Sequence, residues 1–562
     1  MKYLLFPFLF PFRLVYYLYI SIQVFFRKGT HLTIKIPNKF AESEKSFLLD
    51  LVSGKDSETF FLNFINLLID IPNSNIKKIS FIVGKIDFGF SELEEICSAL
   101  KLLKEKKIKL SGFSHEGDLK TIYLLSYMDE RYSSAGTEFL TVLPAFEGFY
   151  LGNFFKKLGI QMENYASGKY KSFGEMFSKD KMSKEAKENL QMFLTSFYNT
   201  LDQKFKSNGF ELKDIAEFIS TNSEELFQMK FFDKLMDIEE FEKRSIFDNK
   251  EIDIENKDIE PEYSKAKSNY INFSQKKKKF KFLRDKADEI VFLSLKGNIT
   301  QLNPNVSEQK EGEISPAPIL SILREFREKD SVKALVLSID SGGGSATGSD
   351  VIYRELEKFS KVKPTYAYFQ NAAASGGYYI GVGCKKIYAS PFSITGSIGS
   401  VMIRPNLKGL YDKLGIKKDR VGFYPTRELL SEYGEPTIEG KKFLQREIKR
   451  VTGRFYEVVM KSRNISLKDL IPKAEGRIFS GADFLNLNMV DSNKTLRELF
   501  SDIQKELNLK NPTVISFVPI SSFRSVLKEF KSGLRILSNP ERFLNGEKFR
   551  FESELANWFT GR

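Results

Sequence analysis

The sequence is poor in the residues on which most hydrolytic and metal sites depend. Its 562 residues include two cysteines, two histidines and one tryptophan. Cys97 and Cys384 are far apart and belong to no paired motif, which excludes a disulfide framework and a thiolate zinc site. His31 and His115 lie in no motif, so a Ser-His-Asp triad is not expected. Any general base must therefore be a lysine, a carboxylate or a tyrosine.

The composition describes a globular body with more than one domain. The chain is too long for one ordinary domain, and 42% hydrophobic with 28% charged residues is typical of soluble folds. The net charge of +13 is spread along the chain and is compatible either with a basic proteome or with attraction to an anionic membrane surface. No nucleic-acid-binding motif is present, so no nucleic acid partner is expected.

Residues 3–26 are almost wholly apolar and aromatic, which predicts a membrane segment over residues 1–28. Arg13 would lie near the middle of a span that started at the N-terminus. The segment therefore either spans from about residue 14 onward or lies in the membrane interface. No small-residue cleavage site follows it, so an uncleaved anchor is expected. Charges on its two sides nearly balance and leave its orientation undecided.

The body of the chain contains an internal duplication. Apolar, strand-like runs at 76–83 and 331–338 are each followed by a helix-like stretch, at 92–104 and 349–359. Tyr123 and Tyr378 begin matching triplets 255 residues apart (378 − 123). The segments 155–160 and 411–416, which both end in Leu-Gly-Ile, begin 256 residues apart (411 − 155). Such repeated β-α units predict an α/β fold with mainly parallel strands.

The duplication divides the chain into five parts. After the membrane segment we expect a repeat over 29–245, a charged linker over 246–287, a second repeat over 288–509 and a basic amphipathic tail over 510–562. The tail has apolar residues at helical spacing with basic residues between them. It is interpreted either as a helix packed on the body or on a neighbouring subunit, or as a helix that contacts lipid.

The two repeats differ where chemistry would occur. The second has Ser375 in a turn between small residues, and a loop Gly342-Gly343-Gly344; the first has Asp118-Leu119-Lys120-Thr121 and Gly84-Lys85-Ile86-Asp87 at these places. The first repeat instead offers Lys171, within residues 167–172. Its counterpart in the second repeat, residues 422–427, has no lysine. One half thus supplies a serine and the other a lysine, which predicts a composite site.

Three motifs carry a family resemblance. Ala373-Ala374-Ser375-Gly376-Gly377-Tyr378, Thr395-Gly396-Ser397-Ile398-Gly399 and Tyr170-Lys171-Ser172 resemble the signature motifs of the long form of signal peptide peptidase A, over about residues 60–500. The resemblance implies two tandem repeats with the fold of the Clp proteolytic subunit and of crotonases. It also implies a homotetrameric endopeptidase of the bacterial inner membrane, with its catalytic body on the periplasmic side, that degrades residual signal peptides.

The resemblance also implies residue roles. Ser375 would be the nucleophile, Lys171 the general base and Ser397 the residue that orients the lysine, with backbone N–H groups of Gly376 and Gly343 holding the oxyanion and with no metal or cofactor. A lysine needs burial to become a base near neutral pH. The loop Asp340-Ser341-Gly342-Gly343-Gly344 departs from the family's Asn-Ser-Pro-Gly-Gly.

A hydrophobic peptide substrate is expected to contact pockets near Phe369, Tyr378 and Tyr379. Two other classes stay open at this stage. One is a crotonase-like acyl-CoA enzyme, in which catalytic carboxylates would replace Ser375 and Lys171. The other is a catalytically impaired membrane scaffold with the same fold, which the altered glycine loop leaves open.

Overall fold

A computed structural model describes residues 31–40, 61–73, 76–217, 219–246, 288–304, 312–419, 431–510 and 512–517. The predicted membrane segment at 1–28 lies outside these residues, as do residues 247–287 of the predicted linker and residues 518–562 of the predicted tail. The segment 422–427 also lies outside the described residues. It is the counterpart in the second repeat of residues 167–172, which contain Lys171 and are called the lysine loop below.

The first half of the chain is organised around a five-stranded parallel sheet in the order β1-β2-β3-β5-β9. Its strands are β1 (His31–Lys35), β2 (Lys78–Ile82), β3 (Lys109–Ser114), β4 (Gly117–Asp118), β5 (Glu130–Ser133), β6 (Glu138–Leu140), β7 (Gln161–Ala166), β8 (Ser220–Asn222) and β9 (Lys234–Leu235). Its helices are α1 (Phe61–Asp70), α2 (Phe90–Glu105), α3 (Leu119–Leu125), α4 (Gly152–Leu158), α5 (Glu175–Ser178), α6 (Lys184–Ser207), α7 (Leu212–Ile215), α8 (Ser223–Gln228) and α9 (Ile238–Ile246). Strands β4, β6 and β8 form a small separate sheet.

The second half is organised around a seven-stranded sheet in the order β18-β16-β14-β13-β10-β19, with β15 also paired to β14. Its strands are β10 (Glu289–Lys296), β11 (Asn298–Ile299), β12 (Glu313–Ile314), β13 (Val332–Ser341), β14 (Thr365–Ala374), β15 (Lys386–Ala389), β16 (Ile394–Gly396), β17 (Val401–Asn406), β18 (Ile478–Ser480) and β19 (Thr513–Phe517). Its helices are α10 (Pro316–Glu328), α11 (Ala346–Ser360), α12 (Gly376–Gly381), α13 (Lys408–Lys413), α14 (Ile438–Arg463), α15 (Leu467–Leu470), α16 (Gly481–Asn486) and α17 (Leu496–Glu506). All pairs in the large sheet are parallel except β16 with β18.

Both sheets bury apolar strands beneath helices, as mainly parallel sheets require. The second sheet continues past residue 509, the expected end of the repeat, because β19 pairs in parallel with β10. Helices α2 and α11 confirm the two predicted helices and extend them by one to three residues at their ends.

The strand order repeats between the halves. Strands β1, β2, β3 and β5 correspond in order to β10, β13, β14 and β15, and the starts of β3 and β14 are 256 residues apart (365 − 109). Helix α3 follows β3 as α12 follows β14. Asp118 caps α3 by accepting the N–H groups of Lys120 and Thr121, whereas Ser375 precedes α12 with φ +52° and no capping bond. The same turn therefore has a structural use in one half and a strained geometry in the other.

A two-stranded antiparallel ribbon joins the halves. Strand β7 of the first half pairs with β17 of the second, with Glu163 opposite Arg404. The Arg404 guanidinium lies 3.1 Å from the Glu163 carboxylate, and both side chains are about nine-tenths buried. Nearby, a Cβ on Gly159 would stand 2.6 Å from the Gly409 carbonyl carbon, so glycine is needed for this close approach. The ribbon fixes the lysine loop of one half relative to the serine of the other.

Helix α2 forms a second contact between the halves. Its apolar residues are buried in the first half, while the Glu95 carboxylate is buried against the second, where it accepts hydrogen bonds from the Tyr368 hydroxyl (2.5 Å) and the Leu496 N–H. Burial raises the pKa of Glu95 to about 7. Because Glu95 links the two halves, protonation of its carboxylate should change how tightly they pack against each other.

Phe369, Tyr378 and Tyr379 do not line a pocket as expected from the sequence. They are at least 95% buried. The Tyr378 hydroxyl donates to the Met489 carbonyl at 2.9 Å, and the Tyr379 hydroxyl donates to Asp350 at 2.7 Å. The expectation was wrong because Phe369 is buried in the core from strand β14, and the turn at Ser375 directs the following helix, with Tyr378 and Tyr379, into the same core.

In the described part of the chain, no helix has the length and apolar content needed to cross a bilayer.

Candidate active site

Ser375 occupies a strained turn between a strand and a helix. It follows β14 directly and has φ +52°, a value that non-glycine residues rarely adopt. Its N–H donates to the Gly396 carbonyl (2.8 Å), and its carbonyl accepts from the Tyr379 N–H (2.9 Å). The flanking strand β16 and helix α12 therefore hold the strain, which is how a nucleophile is presented at a turn.

Lys171 reaches this serine from the other half of the molecule. The lysine lies in the loop after β7, at the start of a short 3-10 helix (Ser172–Gly174), and is 7% exposed. Its Nζ lies 3.0 Å from Ser375 Oγ, although the two residues are 204 positions apart in sequence. The composite geometry expected from the duplicated sequence is thus present at hydrogen-bond distance.

Ser397 provides two further partners for the lysine. Its hydroxyl oxygen lies 2.9 Å from Lys171 Nζ and its carbonyl oxygen 2.7 Å away. Ser397 also has a positive φ, +51°, and its N–H donates to the Arg477 carbonyl at 2.6 Å. This backbone conformation turns both oxygens of one residue toward the same amine.

Burial lowers the pKa of the Lys171 amine to about 8. A neutral amine has two N–H donors and one lone pair. The two oxygens of Ser397 match the donors, and the lone pair is then directed to the Ser375 hydroxyl. The site can hold a neutral lysine that accepts a proton from serine, and within the described ranges no histidine or carboxylate hydrogen-bonds this amine.

The two expected oxyanion donors stand next to each other. Gly376 is the first residue of α12, where backbone N–H groups have no acceptor within the helix. Gly343 has φ +110°, and a Cβ there would lie 2.8 Å from Ser375 Cβ and 2.9 Å from Gly376 N. The Gly343 N–H donates to Ser341 Oγ at 3.1 Å, so an oxyanion would have to compete with this hydroxyl.

The unusual loop residues have defined surroundings. The Asp340 carboxylate accepts the Ala372 N–H (3.0 Å) and the Asn371 side-chain amide (3.2 Å), so its charge stabilises the strand before Ser375. A Cβ built on Gly342 would meet nothing within 4 Å. The position that is proline in the family motif therefore lies in open space.

The histidines and cysteines lie away from the serine. His31 hydrogen-bonds Ser80 at 2.9 Å, and the His115 ring stacks on Phe113. Cys97 and Cys384 are buried and free.

Sequence reasoning missed the segment 475–477. It contacts the lysine loop and Ser397 but lies in no motif with an evident chemical function. Ser341 was also missed, because its role as acceptor for Gly343 depends on side-chain orientation.

Comparison with known proteins places the chain in a class. It is 32% identical over 230 residues to a putative signal peptide peptidase SppA of Enterococcus faecium, an alignment that covers 41% of this chain and 67% of that protein. It is 25% identical over 512 residues to the chloroplastic serine protease SPPA of Arabidopsis thaliana (90% and 74% covered). It is 27% identical over 443 residues to protease 4 of Haemophilus influenzae (77% and 70% covered). These relatives define a class of serine proteases.

The sequence model of peptidase family S49 matches residues 135–217 and 357–510. The chain belongs to peptidase family S49. Among solved structures it is similar to a mutant of ClpP1 from Listeria monocytogenes, at 11% identity and a TM-score of 0.25, with 37% of this chain and 92% of that one covered. A likeness that weak adds nothing to the fold described above.

Proposed function

We propose that this protein is a membrane-bound endopeptidase in which Ser375 is the nucleophile and Lys171 the general base. The observation that carries the proposal is the 3.0 Å separation of Lys171 Nζ and Ser375 Oγ at a buried amine with a lowered pKa. The neutral lysine takes the serine proton as Oγ attacks the peptide carbonyl, and the resulting ammonium returns a proton to the leaving amine. Water then releases the acyl group by the same route in reverse.

Ser397 orients the base in this mechanism. Its two oxygens bind the lysine in both protonation states and keep Nζ pointed at Ser375. The N–H groups of Gly376 and Gly343 stabilise the oxyanion. For Gly343, the N–H must give up its hydrogen bond to the Ser341 hydroxyl, which itself donates to the Gly297 carbonyl at 2.6 Å.

The proposed substrates are hydrophobic peptides, including signal peptides that remain after cleavage from secreted proteins. The names of the relatives support this class, since one is a putative signal peptide peptidase. The apolar run at residues 3–26 supports a location at a membrane. That this is the bacterial cytoplasmic membrane, with the catalytic body on the periplasmic side, is proposed from the family resemblance alone.

A homotetramer is part of the proposal. Residues 141–150 form an extended stretch without regular structure, and apolar side chains along and beside it are exposed, with Phe149 83% exposed and Leu140 56%. A surface of this kind is typical of contacts between subunits. Light scattering on the full chain in detergent tests it, and a monomeric mass would contradict it.

The test of the activity is cleavage of a hydrophobic fluorogenic peptide by the full chain and by Ser375→Ala and Lys171→Ala. Both variants should lose activity by several orders of magnitude while remaining folded. Ser321→Ala and Lys181→Ala, which alter an exposed serine and an exposed lysine elsewhere, serve as matched controls and should leave it unchanged.

The pH dependence provides a second test of the proposed base. Only neutral lysine is a base, so kcat/KM should rise about tenfold from pH 7 to a plateau above pH 9, as expected for a group with a pKa near 8. Activity that survives Lys171→Ala would mean that another base serves Ser375. An inactive wild type that also resists serine-directed fluorophosphonate labelling would favour the scaffold alternative.

A further inference from the structure

The residue before the proposed base is stacked on an arginine from the other half of the chain. The Arg477 guanidinium carbon lies 3.8 Å from the centre of the Tyr170 ring, and the arginine side chain is 19% exposed. The Tyr170 N–H also donates to the Glu475 carbonyl at 3.1 Å. Arg477 and Tyr170 are joined by a cation–π contact at close range, in a partly desolvated position where such contacts are strongest.

The same segment contacts the lysine backbone and Ser397. Gly476 has φ +88°, and a Cβ there would lie 2.4 to 2.6 Å from the N, Cα and Cβ atoms of Lys171. The Gly476 N–H donates to the Ile398 carbonyl at 3.0 Å, and the Arg477 carbonyl accepts the Ser397 N–H at 2.6 Å. Residues 475–477 thus contact both the proposed base and the residue that orients it.

We propose that Arg477 is a positioning residue that, by stacking on Tyr170, holds the lysine loop closed so that Lys171 stays dry and aligned with Ser375. This inference rests on the proposed function, since it assigns a role in maintaining the base. Arg477 contacts neither reacting atom and acts through Tyr170.

In the part of the chain that the structure describes, two further charged side chains contact the stacked pair. Lys169 Nζ lies 5.3 Å from the centre of the same tyrosine ring, and the Glu475 carboxylate lies 3.5 Å from Arg477 Nη1. Neither is a cause of the lowered pKa of Lys171, which follows from burial. Loss of the stack should therefore act by admitting water to Lys171, and the pKa of the amine should rise toward that of a free lysine.

The experiment compares Arg477→Met and Tyr170→Leu, which each remove one side of the stack, with Tyr170→Phe, which keeps the ring. Arg244→Met is the matched control. Its guanidinium carbon lies 5.3 Å from the centre of the Tyr132 ring in the first half, and, like Nη1 of Arg477, its Nε is buried without a hydrogen bond. Circular dichroism melting curves of the full chain establish that each variant is folded.

Two readouts are recorded from pH 6 to 11. The first is the pH midpoint of kcat/KM on a hydrophobic peptide. The second is the pH dependence of Lys171 acetylation by trace acetic anhydride, quantified by mass spectrometry of the Lys171 peptide. The second readout titrates the amine directly and requires no peptidase activity, so it separates failure of this inference from failure of the proposed function.

Arg477→Met and Tyr170→Leu should move both midpoints upward by one to two pH units. The neutral fraction of the lysine at pH 7, and with it kcat/KM, should fall about 10- to 100-fold, and activity should recover at pH 10 to 11. The double variant should move them no further, since each change removes the same contact. Tyr170→Phe and Arg244→Met should match wild type.

An unchanged acetylation midpoint in a folded Arg477→Met protein would overturn the inference. If that variant does not fold, Tyr170→Leu decides on the same criterion. A uniform loss of activity at every pH, without a shift, would also overturn it, because that result indicates a structural role alone.

Discussion

Burial of Lys171 has a cost that can be measured as stability. The pKa of this amine is lowered from an ordinary value of 10.5 to about 8, a difference equivalent to about 3 kcal/mol. Between pH 8 and 10.5 the unfolded chain holds a proton at this position that the folded chain has lost. Wild-type stability should therefore rise with pH across this window, and below pH 8 the folded protein bears the full cost of a buried cation.

Replacing the lysine with methionine removes this dependence. Lys171→Met leaves an apolar side chain of similar length. The free energy of unfolding of the variant minus that of wild type should therefore be about 3 kcal/mol larger at pH 7 than at pH 10.5. Three oxygen partners lose their amine in the variant, and this adds an offset. The offset is the same at every pH and does not affect the comparison.

The assay is urea unfolding followed by circular dichroism at pH 7, 8, 9, 10 and 10.5 for wild type and variant. Lys181→Met, at an exposed lysine, is the control and should give a difference that does not change with pH. The same constancy in Lys171→Met would refute the reasoning, because it would mean that the amine titrates as an ordinary lysine in the folded state.

Three other predictions address the surroundings of the site. Gly343→Ala should lower kcat about 100-fold in a folded protein, because its Cβ would press on Ser375 and Gly376, whereas Gly342→Ala, in open space, should stay near wild type in the same peptide assay. Because the pKa of Glu95 is raised, wild-type stability should fall as the pH passes from 4.5 through 7. The melting temperature of Glu95→Gln relative to wild type should therefore be higher at pH 8 than at pH 5. An equal difference at both pH values in calorimetry would contradict this. Arg404→Met should cost about 3–5 kcal/mol by leaving the buried Glu163 carboxylate unpaired, and Glu163→Leu in the same chain should recover much of the lost melting temperature.

Much of the fold follows from local pattern. Helices α2 and α11, which follow strands β2 and β13, could be predicted from apolar spacing. The 256-residue offset between β3 and β14 matches the offset found between sequence motifs. The end of the second sheet could not be read in this way. Strand β19 follows helix α17 and a short connection, and only its pairing with β10 makes it part of the sheet.

The site was predictable where each residue carries its chemistry in its own motif. Ser375, Lys171 and Ser397 are of this kind, and the structure places the lysine amine within 3.0 Å of both serine hydroxyls. The other contacts depend on approaches between distant segments. The carbonyl of Ser397, the Ser341 hydroxyl beside Gly343 and Arg477 on Tyr170 have no local pattern, since a backbone oxygen or a stacked ring can be supplied by many sequences. Phe369, Tyr378 and Tyr379 were misassigned for a related reason, because apolar character alone does not distinguish a pocket from a core.

The division of the site between two halves has a consequence for biosynthesis. A ribosome that has completed the first half has produced the lysine but not the serine, and one that has just passed Ser375 has not yet made the residues at 397 and 475–477 that hold the amine. Under the proposed function, a nascent chain that ends before residue 477 should therefore be inert toward peptides. In that case the order of residues along the chain would itself delay the proposed hydrolytic chemistry until the second half has folded against the first.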